Sequence, residues 1–174
     1  MNDRPTALTP PLFANTWAVF KRELSQYFVS PIAYFVAFVI LLILGLIFSS
    51  DLRYTINNQQ PAQPTSVVDA LAFLLILMAP LLTMRLLAEE NREGTIELLL
   101  TLPIRDLDIV LGKFLGAWIY YTIVLAITLV YQFILASIGR PDQGATIAAY
   151  LGVWLYGGAA LAIGLMFSAL TENQ

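Results

Sequence analysis

The sequence contains neither cysteine nor histidine. Together these absences exclude disulfides, thiolate and imidazole metal sites, a cysteine nucleophile and a histidine general base. Charge is scarce too: 12% of the 174 residues, against about 25% in an ordinary soluble domain. Apolar side chains fill the difference, at 59% where about 45–50% is usual. A net charge of −3 gives no reason to expect a nucleic-acid partner. The only Gly-Lys pair, Gly112-Lys113, lacks the glycine spacing and the following Ser or Thr of a phosphate-binding loop. No catalytic residue, metal or cofactor is therefore expected in this chain. Met1 to Pro11 is polar and proline-rich, without the apolar core of a secretory signal. Residues 1–11 read as a disordered tail.

The gaps between charges mark out spans. Leu24 to Ser50 carries no charge, and its part from Pro31 to Ser50 is 20 residues long, enough as helix to cross an apolar core of about 30 Å. Ala70 to Met84 is charge-free as well, with Asp69 and Arg85 near enough to the ends to snorkel. Phe114 to Gly139 and Gln143 to Thr171 complete the set. The fold class is all-α, a polytopic membrane protein, since these runs are too long and continuous for barrel strands. The expected spans are 31–50, 66–87, 107–137 and 146–170, separated by an external loop (51–65), a polar segment (88–105) and an external turn (138–145).

Basic residues set the orientation. Arg4, Lys21, Arg22, Arg85, Arg92, Arg105 and Lys113 lie on one side, and only Arg53 and Arg140 on the other. The amino terminus and the 88–105 segment are thus expected in the cytoplasm of a cell with the chain in its cytoplasmic (inner) membrane. Ahead of the first span, residues 12–29 place Phe13, Trp17, Phe20, Leu24 and Phe28 on one helical face, with Lys21, Arg22, Ser25 and Gln26 off it. This predicts an amphipathic helix along the bilayer interface, ended by Ser30-Pro31.

Between the second and third spans lies "AEENREGTIELLLTLP" (88–103), with Glu89, Glu90, Glu93 and Glu97 inside nine positions. Glu89, Glu93 and Glu97 share one face if the helix is continuous. If Gly94 interrupts it, Thr95 becomes an N-cap and Glu97 falls in the first turn of a second short helix. Ile96, Leu99 and Leu100 form an apolar side, and Pro103 ends the element. Either a solvated loop is held out of lipid by its acids, or an acidic docking helix is joined rigidly to two spans.

These residues carry a family resemblance. "RLLAEENREGTIELLLTLPIRDLDIVLGKFLGAW" (85–118) resembles the signature region of ABC-2 type transporter permeases: Glu89, Glu90, Glu93, Gly94, Thr95, Glu97, Leu98, Leu99, Pro103, Gly112 and Lys113 follow its pattern. "KRELSQYFVSPIAYF" (21–35) and "ALTENQ" (169–174) are similar to the interfacial helix and the end of the fourth span, most nearly in the gliding-motility-type branch. The resemblance implies two permease subunits, identical or different, each resting on an ATP-binding cassette subunit that hydrolyses the ATP. It makes the 88–105 segment, with its core near 89–102, the coupling element. It also implies six spans per subunit, so that the four seen here would be part of a longer polypeptide.

Lesser signals concern packing. Gly112 and Gly116 form a G-x-x-x-G, and Ala160 and Gly164 a second small-residue pair, suited to close helix contact within one subunit or between two. Pro80 suggests a kink or a hinge in the second span. Tyr120, Tyr121 and Tyr131 suit aromatic packing or anchoring better than a transport path. Beside the permease reading stands an accessory or structural membrane subunit without transport activity. An ion-coupled transporter or membrane enzyme would need titratable groups at mid-membrane, and the middles of the four spans have none.

The orientation can be checked directly, because the chain lacks cysteine. A cysteine introduced at Gln59 is expected to react with an impermeant maleimide on intact cells, and one at Asn91 is not. Labelling at Asn91 with none at Gln59 would reverse the topology.

Overall fold

The computed structural model describes residues 14–58, 63–93, 106–139 and 141–170. The described residues form five α-helices: α1 Ala14–Val29, α2 Pro31–Asn58, α3 Ser66–Glu93, α4 Asp106–Ile138 and α5 Gln143–Leu170. No strand occurs among the described residues. Three helical stretches are long and apolar enough to cross a membrane: Pro31–Asn58, Leu107–Ile138 and Gln143–Ser168. The expected second span lies in α3, whose stretch Ser66–Leu77 is apolar but shorter. The chain is a multi-pass membrane protein. The residues of the 1–11 tail, with Phe13, lie outside those described.

Helix boundaries follow local chemistry. A single residue separates α1 from α2: Ser30 N–H still donates to Gln26 O, while Ser30 O accepts from Ala33 N. Pro31 starts the new helix, where its missing N–H costs nothing. α2 continues through Asn58 into the polar stretch read as loop, because neither glycine nor proline interrupts it before Pro61. α5 begins at Gln143, three positions before the expected 146. Asp142 explains this: its Oδ1 accepts the N–H groups of Gly144 and Ala145 at 2.9 and 3.3 Å, as an N-cap does. α3 runs helically through Pro80, and Thr83 Oγ1 bonds back to Ala79 O just beyond it.

The four long helices enclose a core that includes Leu44, Leu71, Leu75, Val124 and Leu161. Around it, Phe35, Phe38, Phe73, Leu77, Phe133, Leu155 and Met166 are exposed. Such an apolar girdle suits lipid rather than water. α3 packs most extensively on α5, and α1 on α4.

Hydroxyls fasten the helices across their contacts. Tyr120 OH donates to Ala33 O (2.6 Å), Tyr121 OH to Val153 O (2.8 Å) and Tyr131 OH to Leu41 O (3.0 Å). All three tyrosines named above are thus packing residues. Trp154 Nε1 donates to Thr122 Oγ1 at 3.0 Å, beside the stacked Trp118–Trp154 pair. At one end of the bundle Gln132 Nε2 holds Pro64 O (2.6 Å) and Ser66 Oγ holds Asp51 Oδ2 (2.9 Å).

Gly164 lies directly against the fully buried Thr83, where a Cβ would collide with the threonine side chain. Gly152 faces open space. Gly164→Leu should therefore destabilise the detergent-purified protein by about 1–3 kcal/mol or more through overpacking. Gly152→Ala should be neutral or stabilise by up to about 1 kcal/mol through helix propensity. Thermal unfolding followed by circular dichroism separates the two.

Candidate functional site

The described residues hold no group of three or more metal-ligating side chains. The chemistry concentrates instead where α1 meets the first half of α4. There Thr16, Val19, Glu23 and Tyr27 form the buried face of α1. They recur every three or four positions, as one helical stripe must. The bulky stripe seen in the sequence lies only partly on this face: Phe20 and Leu24 are half-buried, while Trp17 is 57% and Phe28 44% exposed. Trp17 also carries Lys21 Nζ at 5.5 Å from its ring centroid, a pairing suited to a headgroup region.

Two glycines bring the backbones together. A Cβ on Gly112 would lie 2.6 Å from Val19 Cγ1, and one on Gly116 would lie 2.9 Å from Glu23 Cβ. The G-x-x-x-G is therefore a seat for α1 within the subunit. Thr16 Oγ1 donates to Asp108 Oδ1 at 2.6 Å, and Tyr27 stacks on Tyr120 with centroids 4.7 Å apart. The glycine contacts, the hydrogen bond and the stack all join residue i of α1 to residue i+92 or i+93 of α4. A constant offset over that length means that the helices run parallel and in register.

Inside this contact, Lys113 Nζ lies 3.5 Å from Glu23 Oε1, with both residues only 2% exposed. Taking each charge out of water is costly, and opposite charge is what offsets it. The glycines make the pair reachable by removing bulk between the helices. Counting Lys113 as a cytoplasmic flank, and reading α1 by its aromatic stripe, hid this arrangement. A trace was nonetheless present: one carboxylate on an amphipathic helix, and a lysine inside a G-x-x-x-G.

The acidic segment adjoins this junction in the chain. Glu89, Glu90 and Glu93 lie on the last turns of α3, whose preceding turn is seated at Thr83 on Gly164. Ala160, one turn before Gly164, packs against the core. Gly94, Thr95 and Glu97, with the rest of 94–105, lie outside the described residues. α4 begins directly after them, at Asp106.

The sequence model of a family described as "ABC-2 family transporter protein" matches residues 49–174. The chain belongs to the ABC-2 transporter family. No curated protein matches it significantly. As an ABC-2 permease it is the membrane component of an ABC transporter and not the catalytic one, and the family implies an ATP-binding cassette partner in general. The match covers the acidic segment, both small-residue pairs and Lys113. Glu23 and the rest of α1 precede it.

Removing one member of the buried pair should be costly. Lys113→Met, which takes the ammonium away from the buried Glu23 carboxylate, should destabilise the fold by about 3–5 kcal/mol. The double change Glu23→Leu/Lys113→Met should recover much of that loss, because an apolar pair leaves no buried charge behind. Unfolding of the purified variants in denaturant tests this.

Proposed function

We propose that this chain is the permease half of a transporter in the cytoplasmic membrane, with its amino terminus and residues 88–105 in the cytoplasm. Two permease subunits pair, each resting on an ATP-binding cassette subunit. The 88–105 segment docks into a cleft of that subunit as the coupling element. ATP-driven closure of the two ATPases then rocks the spans and moves a substrate across the bilayer.

One observation carries this reading. In an ABC-2 chain, the segment richest in carboxylates is also the one that directly joins two of the long helices. Glu89, Glu90, Glu93 and Glu97, with Gly94 and Thr95 between them, form the partner-binding element, and its carboxylates supply charge to a basic partner surface. A force applied there acts on α3 and α4 together. α1 contributes its aromatic and basic exposed side to the interface of the lipid bilayer.

Single exposed ion pairs contribute only about 0.2–1 kcal/mol, so one Glu→Gln change should be nearly silent. Reversing Glu89, Glu93 and Glu97 to Lys together should weaken co-purification with the ATPase encoded beside this gene by several such increments, most strongly at low salt. Unchanged co-purification and unchanged ATP hydrolysis, in a protein that still inserts normally, would leave the acids as a solvated face only.

A further inference from the structure

We propose that the Glu23–Lys113 pair is a latch that holds α1 to α4 throughout the transport cycle, making Glu23 and Lys113 positioning residues for coupling. The inference rests on the proposed function, since it concerns how motion of the 88–105 segment spreads through the subunit.

The route is short. The segment ends where α4 begins, so a displacement of it enters α4 as well as α3. From α4 there are direct and indirect ways into α2. The direct ones are the Tyr120 OH bond to Ala33 O and the Tyr131 OH bond to Leu41 O. The indirect one runs through α1, which is joined to α2 by the single residue Ser30. The indirect way transmits motion only if α1 cannot slide on α4.

The contact is built to prevent sliding. Val19 and Glu23 sit against Gly112 and Gly116 with no space for even one added carbon. A shift by one turn would seat only one of these side chains on a glycine and drive the other against a residue that has a Cβ, Asp108 or Tyr120. It would also separate two charges held at 2% exposure, in a place where water cannot take over from the lost partner. The Thr16–Asp108 bond and the Tyr27–Tyr120 stack secure the two ends of α1 in the same register. Interfaces packed in this way are bistable rather than continuously deformable, so α1 and α4 move as one body.

A cysteine pair at Thr16 and Asp108 reports on the latch, because their side chains already touch. In membranes bearing T16C/D108C, mild oxidation should link α1 to α4 rapidly. Adding Lys113→Met should slow that linkage by at least about tenfold, and adding the swap Glu23→Lys/Lys113→Glu should restore most of the rate. If removing the lysine leaves the rate unchanged in a correctly inserted protein, the latch is refuted, whatever the transporter does.

The coupling role is read in the complex with its ATP-binding subunit. In T16C/D108C, oxidised and reduced samples should hydrolyse ATP within about twofold of each other, since a latch that stays closed loses nothing by being locked. In T16C/D108C with Lys113→Met, oxidation should raise hydrolysis and reduction should lower it again in the same sample, which a mere folding role would not produce. Inhibition of T16C/D108C by oxidation would show that α1 must leave α4 and would overturn the inference. Failure of the unmodified chain to co-purify with an ATP-binding subunit would instead count against the proposed function, and the linkage rates would still decide the latch.

Discussion

Helices in a bilayer gain little from burying apolar surface against one another, because lipid tails are as apolar as leucine. Their association has to come from close backbone approach and from polar groups that satisfy one another. This constraint organises the whole molecule. Gly164 admits Thr83, Gly112 and Gly116 admit α1, and three tyrosines of α4 reach carbonyls on two different neighbours. α4 is the hub of these bonds: Tyr120 and Tyr131 tie it to α2, and Tyr121 ties it to α5. At 33 residues it is about 50 Å long, well beyond an apolar core of about 30 Å. The surplus provides a stretch on which a helix outside the spans can dock.

The two ends of the bundle are fixed by different means. At the end carrying the α2–α3 and α4–α5 connections, most of these bonds grip backbone, Gln132 on Pro64 and Asp142 on the first amides of α5, beside one side-chain pair, Ser66–Asp51. Near the start of α4, side chains grip one another across α1, through Thr16–Asp108 and Glu23–Lys113. Under the proposed coupling role, the end that receives force from a partner gains from the second arrangement. Side-chain pairs hold whole helices as units, whereas a grip on a loop carbonyl holds only the loop.

The sequence revealed the long helices more readily than their faces. Charge-free runs locate the long helices because burying an unpaired charge in lipid is prohibitive. The extension of α2 to Asn58 escaped that criterion, since a helix leaving the membrane becomes polar without ceasing to be a helix. The early start of α5 depended on recognising Asp142 as a cap when the stretch "GRPDQGA" reads at first as a turn. The face of α1 was the hardest to find. Periodicity selects the side with Trp17 and Phe28, which suits lipid. The side that binds α4 has one small apolar residue, one threonine, one carboxylate and one tyrosine, and has no apolar pattern to find. Likewise the spacing of Gly112 and Gly116 announced a close contact but could not name its partner, because glycine records that something approaches and not what.

Glu23 and Lys113 also solve a problem for each other. Lys113 opens the stretch of α4 that becomes charge-free at Phe114, where an uncovered ammonium would have to snorkel to the headgroups. Glu23 lies on a helix outside the charge-free spans, where a carboxylate can wait in water. Docking α1 brings the carboxylate to the lysine and removes both from solvent and lipid together. Each charge is stabilised by the other, so the register of α1 on α4 is specified twice: sterically by the glycines, and electrostatically by the pair. A hydrophobic contact alone could have slipped by a turn and retained most of its area. A buried ion pair resists slipping because its charges are costly to separate, and under the proposed coupling role this intolerance of slippage matters more than whatever net stability the pair contributes.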